Sequence, residues 1–233
     1  MDAVDEREIR SDLLAPTGRV IMLSGASRGI GAAVARRLHA DGFSLSLGVR
    51  RPAEVRAKFA DFAAARLQVS HFDANQADSA KTWLEETVGR FGRLDGLINN
   101  AGIIKPLSFA EGDESVLDDL WAVNVKAPFR LIRLALPHLA RSGSGRIINI
   151  ASTDAKRYRD LSVSIAYAMT KHAVLALSHA AKFAGWENGV RVTALANSLA
   201  PGTLAEIVAL LLRLPNNASV PELVVNTRLE HSL

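Results

Sequence analysis

From residue 19 onward, short apolar runs alternate with longer stretches in which apolar residues recur every three or four positions. RVIMLS (19–24), FSLSLGV (43–49), RLQVSHF (66–72), LDGLINN (94–100), GRIINIAS (145–152), VRVTALA (190–196) and ELVVN (222–226) have the length and composition of strands. Between them the helical period predicts helices over 30–42, 52–65, 78–91, 114–140, 164–187 and 204–214. Gly42 suits a helix end in the left-handed conformation, and Pro52 suits a helix start. Strands joined by helices of this length require crossover connections. The expected fold class is therefore α/β: a doubly wound parallel sheet with helices on both faces, in a single domain over 19–233. Such sheets bind ligands at the carboxyl ends of their strands. Residues 1–18 lie outside the pattern and are expected to be a flexible arm.

Composition removes several functional classes. The chain has no cysteine, which excludes disulfides, thiolate nucleophiles and Cys-ligated zinc and points to a reducing, cytoplasmic setting. Its six histidines are scattered without metal-ligand spacing, so no metal site is expected. The net charge of +4 is spread along the chain with no block of like charges, so no nucleic-acid partner is expected. The most apolar stretch, LAEIVALLLRL (204–214), is too short for a membrane span and carries Glu206 and Arg213. The N-terminus is polar and mixed in sign, unlike a secretory signal.

Two motifs change the picture. SGASRGIG (24–31) falls between the first strand and the first helix. Gly25, Gly29 and Gly31 remove side chains where a backbone must turn sharply and approach a pyrophosphate, and the helix behind them offers free N–H groups. Ser27, Arg28 and Ile30 complete this candidate cofactor loop; a plain Gly-rich turn is the alternative. YAMTK (167–171) places Tyr167 and Lys171 four residues apart, on one helix face. An ammonium beside a phenol favours the phenolate, so Lys171 is expected to lower the Tyr167 pKa.

The Gly-x-x-x-Gly-x-Gly spacing resembles that of the short-chain dehydrogenase/reductase family, whose fold is Rossmann-like. NNAG (99–102), VNVKAPF (123–129), INIAS (148–152) and the Tyr-x-x-x-Lys motif are similar to further motifs of that family, in the same order, over roughly 19–195. The resemblance implies a carbonyl reductase or alcohol dehydrogenase acting on a small-molecule ketone or secondary alcohol. Tyr167 would transfer the proton, Lys171 would tune it and hold the nicotinamide ribose, and Ser152 would orient the carbonyl. Asn124 would anchor a water in a proton relay. Asn99, Ala101 and Gly102 would line the adenine side of the cleft, and Asp73 would contact the adenine. Taken singly, Ser152 also reads as a strand-end turn residue, Asn124 as a polar helix residue and Asp73 as a turn former. The resemblance further implies a homodimer or homotetramer built on the helices around 114–140 and 164–187.

The end of the second strand informs cofactor choice. Val49 stands where NAD-selective members of that family carry an acid, and Arg50 follows at once. With Arg28 in the Gly-rich loop, two guanidinium groups suit a 2′-phosphate, so NADP(H) is favoured over NAD(H). The alternative is that Arg50 and Arg51 only face solvent.

The chain departs from the family after the sixth strand. ANSLAPGTLAEIV (196–208) brings Pro201–Gly202 late and runs straight into a helix. Thr203 and Glu206 form a Thr-x-x-Glu pattern, so Thr203 is expected as a helix N-cap. The substrate lid after about 195 therefore reads as truncated: either the site is short and open by nature, or a mobile segment is missing from this sequence. Such a lid would motivate a rival reading, a nucleotide-binding sensor or catalytically impaired relative. Finally, Lys156, Arg157 and Arg159 place positive charge beside the expected substrate entrance, as an anion attractor or a solvated loop.

Overall fold

A computed structural model describes residues 13–158, 160 and 162–226. Its strands are β1 (Val20–Ser24), β2 (Ser44–Val49), β3 (Leu67–His71), β4 (Gly96–Asn99), β5 (Arg146–Ile150), β6 (Arg191–Asn197) and β7 (Glu222–Val225). They form one parallel sheet in the order β3-β2-β1-β4-β5-β6-β7. The expected doubly wound, Rossmann-like sheet is thus present. The order reverses between β1 and β4, and this opens a crevice at their carboxyl ends.

Side chains alternate across each strand, which explains the continuous apolar runs. In β1, Ile21 and Leu23 join one core with Val34, Ala35 and Leu38 of α1 (Gly29–Asp41) and Leu204, Val208 and Leu212 of α7 (Pro201–Arg213). Met22 faces the other core, with Trp83 of α3 (Ala77–Phe91) and Leu131, Ile132 and Leu139 of α5 (Ala127–Arg141). A sheet covered on both faces has no polar side to display. Gly48 belongs to this packing: a Cβ there would meet the Trp83 ring at 2.6 Å.

Several expected boundaries shift. α2 (Pro52–Lys58) ends before the expected residue 65, and a 3₁₀ turn (Ala64–Arg66) leads into β3. The expected helix over 114–140 is α4 (Glu114–Trp121), a π turn (Ala122–Lys126) and α5. The cause is in the sequence. Pro128 has no N–H for the carbonyl of Asn124, so the turn widens and the Ala127 N–H reaches Ala122 O. α6 (Ile165–Gly185) is capped by Ser164, whose hydroxyl accepts from the Tyr167 N–H.

Three residues, 198–200, separate β6 from α7. α7 opens at Pro201, with Ala200 at the N-cap. Thr203 therefore lies inside the first turn and is not the N-cap. Glu206 pairs with Arg37 of α1 instead of completing a capping box. Proline at the first helical position carries no N–H to satisfy and sets the helical φ, which moves the start three residues earlier. At the other end of α7, Arg19 donates to Leu212 O, the Leu14 N–H to Arg213 O and Arg146 to Leu214 O. Most of the expected arm, residues 1–12, lies outside the described residues; of the rest, Leu14 is held to the last residue of α7. Among the described residues, no helix is long and apolar enough to cross a membrane.

Candidate active site

The first turn of α1 is built to receive an anion. Arg28 at its N-cap gives no side-chain acceptor to the turn, so the first-turn N–H groups face the crevice without a side-chain cap. The Gly-rich loop folds tightly: a Cβ on Gly31 would meet Gly25 O at 2.2 Å, and one on Gly25 would meet the Ala101 backbone at 2.9 Å. Gly25 and Gly29 have φ of +75° and +56°, and the Cβ direction of Gly29 is open space. Backbone can thus approach a ligand closely here.

Two joined clefts follow. The larger, about 570 Å³, is lined by Gly25, Ser27, Arg28, Gly29, Ile30, Gly31, Val49, Arg50, Asp73, Ala101 and Gly102, among others. The smaller, about 230 Å³, is lined by Ser152, Tyr167 and Lys171 with Ile104, Ile150 and Asn197. Ile30, Asn100, Gly102 and Ile103 line both, so the two form one groove. A dinucleotide fits this arrangement: a side-chain-free cradle at a helix N-terminus for the pyrophosphate, continued by a cleft to either side. Asp73 lies in the larger cleft and is also the turn former that its alternative reading expected. Its carboxylate accepts from the Asn75 N–H at 3.0 Å and from Gln76 at 3.4 Å.

One assigned cofactor residue is not in the groove. Asn99 is buried within the sheet, and its Nδ2 donates to Asn149 Oδ1 at 2.7 Å. As the last residue of β4 its side chain alternates into the core. The next residue, Asn100, takes the place in the groove. Its Nδ2 donates to Ser24 O and Gly25 O at 2.9 and 3.0 Å, while Ser24 Oγ accepts from the backbone N–H of Asn100 and Ala101. These bonds fasten the Gly-rich loop to the NNAG turn. The available signal was a polar residue one step past the strand end, where alternation stops.

Asn124 sits behind the groove, 2% exposed. Its Oδ1 accepts from the Ile103 N–H, and its Nδ2 donates to Ile103 O and Thr170 Oγ1 at 2.9 and 3.1 Å. Both amide hydrogens are thus committed to protein. The side chain straps the loop after β4 onto α6, and the backbone carbonyl, not the side chain, is the group that Pro128 leaves without an α-helical donor.

Ser152, Tyr167 and Lys171 meet where β5 ends against α6. Lys171 is buried and donates to Ile150 O at 2.8 Å. Burial lowers its pKa to about 8. Tyr167 moves opposite to expectation. Burial raises its pKa, a hydrogen bond with Ser152 opposes that, and the Asp154 carboxylate raises it further. Desolvation of the phenolate outweighs the ammonium, which is held toward the β5 carbonyl. Ser152 faces the cleft and is also the turn former that its alternative reading expected. It lines the cleft and caps the 3₁₀ turn Thr153–Ala155, where its Oγ accepts from the Asp154 N–H at 3.2 Å and lies 3.3 Å from Asp154 Oδ2.

The loop beyond this turn is less open in charge than expected. Lys156 pairs with Glu222 at the start of β7, and His179 Nε2 lies 2.6 Å from the other oxygen of Glu222. Arg157 is exposed, and Arg159 lies outside the described residues. Arg50 and Arg28 are exposed on the rim of the larger cleft, whereas Arg51 is paired with Glu54 at 3.0 Å.

Comparison with known proteins agrees with this geometry. The family described as short chain dehydrogenase matches residues 19–206. Agropine synthesis reductase of Rhizobium rhizogenes is 37% identical over 87% of this chain, and the matched region is 51% of that protein. The chain thus spans about half the length of this relative. A 3-oxoacyl-acyl-carrier-protein reductase of Staphylococcus aureus is 32% identical over 78% of this chain and 72% of its own length. A metagenomic short-chain oxidoreductase solved in complex with NADP superposes with a TM-score of 0.82 at 30% identity, over 93% of this chain and all of the other.

Proposed function

Because the chain belongs to the short-chain dehydrogenase family, we propose that it is an NADP(H)-dependent oxidoreductase interconverting a ketone and a secondary alcohol. The observation that carries this reading is the single groove: Ser152, Tyr167 and Lys171 line one end, the Gly-rich loop lines the other, and four residues belong to both.

NADPH bound in the groove supplies the hydride. The chain's own residues do the rest. Ser152 Oγ–H orients the carbonyl oxygen and stabilises charge developing on it. Tyr167 gives its hydroxyl proton to that oxygen as the carbonyl carbon is reduced, acting as a general acid. A raised Tyr167 pKa keeps the phenol protonated at neutral pH, which suits the reductive direction. Lys171, still largely protonated near pH 7, faces the tyrosine ring and stabilises the phenolate left behind. Asn124 acts through others, fixing Ile103 and α6 in register. Arg50 and Arg28 support preference for a 2′-phosphorylated cofactor, as does the NADP held by the similar metagenomic oxidoreductase. The exposed Phe129 on α5 and Met169 and Phe183 on α6 favour assembly into a homodimer or homotetramer through these helices.

The test is fluorescence titration with NADPH and NADH, then a ketone panel scored by NADPH oxidation. Tight NADPH binding with turnover, and turnover loss of about 10²–10⁴-fold in Tyr167→Phe with binding retained, is the expected result. Binding without turnover on any ketone would instead mark a nucleotide-binding protein, and no binding would overturn the reading.

A further inference from the structure

The two cations that the proposed reading turns toward a 2′-phosphate sit on different segments, Arg28 in the Gly-rich loop and Arg50 just after β2. Two further cations line the larger cleft, and each is neutralised: Arg51 pairs with Glu54 and Lys105 with Asp119. One phosphate can meet both Arg28 and Arg50 only if their segments keep a fixed separation. The short helix α2 spans that gap. It starts two residues after Arg50, and its last residue returns to the Gly-rich loop: Lys58 Nζ donates to Ser27 O at 2.8 Å, across 31 positions of sequence. The point from which that side chain reaches out is itself held. Arg36 of α1 donates to Lys58 O at 3.1 Å, pairs with Asp61 at 3.0 Å and lies over the rings of Phe59 and Phe62.

We infer that Lys58 is a positioning residue for recognition of the 2′-phosphate, acting through the Ser27–Arg28 peptide and not by touching the nucleotide. This deepens the NADP(H) reading and rests on it. The peptide is trans, and a planar trans peptide points its carbonyl oxygen and its N–H in opposite directions. Ser27 and Arg28 line the cleft, whereas Lys58 is not among the lining residues. The carbonyl turned out to Lys58 therefore leaves the Arg28 N–H on the groove side, beside the free donors at the start of α1. A carbonyl rotated inward would set its negative end against the phosphate. The Lys58 ammonium opposes that rotation with a charge-assisted hydrogen bond, stronger than a neutral one. Its charge also lies behind the loop, although solvent screens it because Lys58 is exposed. The glycine cradle is fastened separately, by Asn100 to Ser24 O and Gly25 O. Loss of Lys58 thus falls on the Ser27–Arg28 end of the loop and spares the part common to both dinucleotides.

The probes are 2′,5′-ADP and 5′-AMP, which differ by the 2′-phosphate and carry no nicotinamide, so calorimetric titration reads this end of the groove without turnover. The parent protein is expected to bind 2′,5′-ADP the more tightly. Lys58→Met keeps the side-chain stem and removes the donor and its charge. It should weaken 2′,5′-ADP binding by about three- to tenfold and shift 5′-AMP binding by less than about twofold. Lys58→Arg, which restores a charged donor, should recover most of the loss. Equal weakening of both nucleotides in Lys58→Met would mark a purely structural role and overturn the inference, as would an unchanged affinity for 2′,5′-ADP. These outcomes leave the NADP(H) reading standing so long as the parent discriminates. A parent that binds both nucleotides alike would overturn the 2′-phosphate reading and the inference together. Should Lys58→Met fail to fold, Lys58→Gln, polar and uncharged, decides by the same ratio of affinities.

Discussion

The Lys171 ammonium lies 5.6 Å from the centre of the Tyr167 ring and gives a hydrogen to the Ile150 carbonyl at 2.8 Å, so the pair shares a helix face while the lysine is tied to the end of β5. Its placement at the β5–α6 contact has a cost. Lys171 titrates near 8 instead of 10.5 because burial disfavours its charged form.

That cost gives a stability prediction. The folded pKa lies below the unfolded value, so between about pH 8 and 10.5 the unfolded chain holds a proton that the folded chain has lost. Stability from this group therefore rises with pH across that window, and the penalty, on the order of 3 kcal/mol, is fully present below it. Lys171→Met should remove activity yet raise Tm at pH 7 by about 2–6 °C, after allowing for the donor lost at Ile150 O. Its advantage over the parent protein should shrink as thermal melts are taken from pH 7 toward pH 10.

Two glycine substitutions separate close packing from helix propensity. At Gly31 a Cβ would sit 2.2 Å from Gly25 O and 2.9 Å from Gly25 C, both backbone atoms of the cofactor cradle. Gly31→Ala is expected to destabilise by about 1–3 kcal/mol in urea unfolding and to weaken NADPH binding at least tenfold. Gly89, inside α3, has no atom within 4 Å of its Cβ direction. Gly89→Ala should stabilise by about 0.5–1 kcal/mol with binding unchanged.

Arg50 carries the cofactor preference in the proposed reading. Arg50→Ala should raise the NADPH dissociation constant by about tenfold while shifting that for NADH by less than about twofold, since a charged hydrogen bond to a phosphate is worth about 1.5–3 kcal/mol. Titrations at two salt concentrations should show a shallower salt dependence for NADPH in the variant. Equal loss for both nucleotides would place Arg50 outside phosphate recognition.

Asn124 links the loop after β4 to α6 through three hydrogen bonds. Asn124→Ala leaves the Ile103 N–H, the Ile103 carbonyl and Thr170 without that partner. It is expected to cost about 2–4 kcal/mol of stability and to reduce kcat more than it raises the NADPH dissociation constant. Loss of kcat with full stability would return the side chain to a direct role in proton transfer.

Much of this protein was legible in its residues. Apolar runs of strand length separated by helical periods required a parallel sheet, because a strand buried on both faces has no alternating polar side. The Gly-x-x-x-Gly-x-Gly loop located the ligand end of that sheet, since only glycine allows the contacts at Gly25 and Gly31. Helical spacing placed Tyr167 and Lys171 on one face, and the accompanying motifs gave that pair its chemical meaning. Even the π turn was written in the chain, in the missing N–H of Pro128, though periodicity cannot display it.

What the tertiary structure decided was environment. Asn99 and Asn100 are adjacent and identical in type, and only the end of strand alternation sends one into the sheet and the other into the groove. The Thr-x-x-Glu pattern pointed to Thr203 as an N-cap, but Glu206 is turned to Arg37 of α1 and the helix opens at Pro201. The proximity of a cation predicted a lowered Tyr167 pKa, but burial and the returning carboxylate of Asp154 reverse the direction. Periodicity and motif spacing are local properties that a sequence carries by itself. Desolvation and the direction of a hydrogen bond depend on what the rest of the chain brings alongside, and those exist only once it has folded.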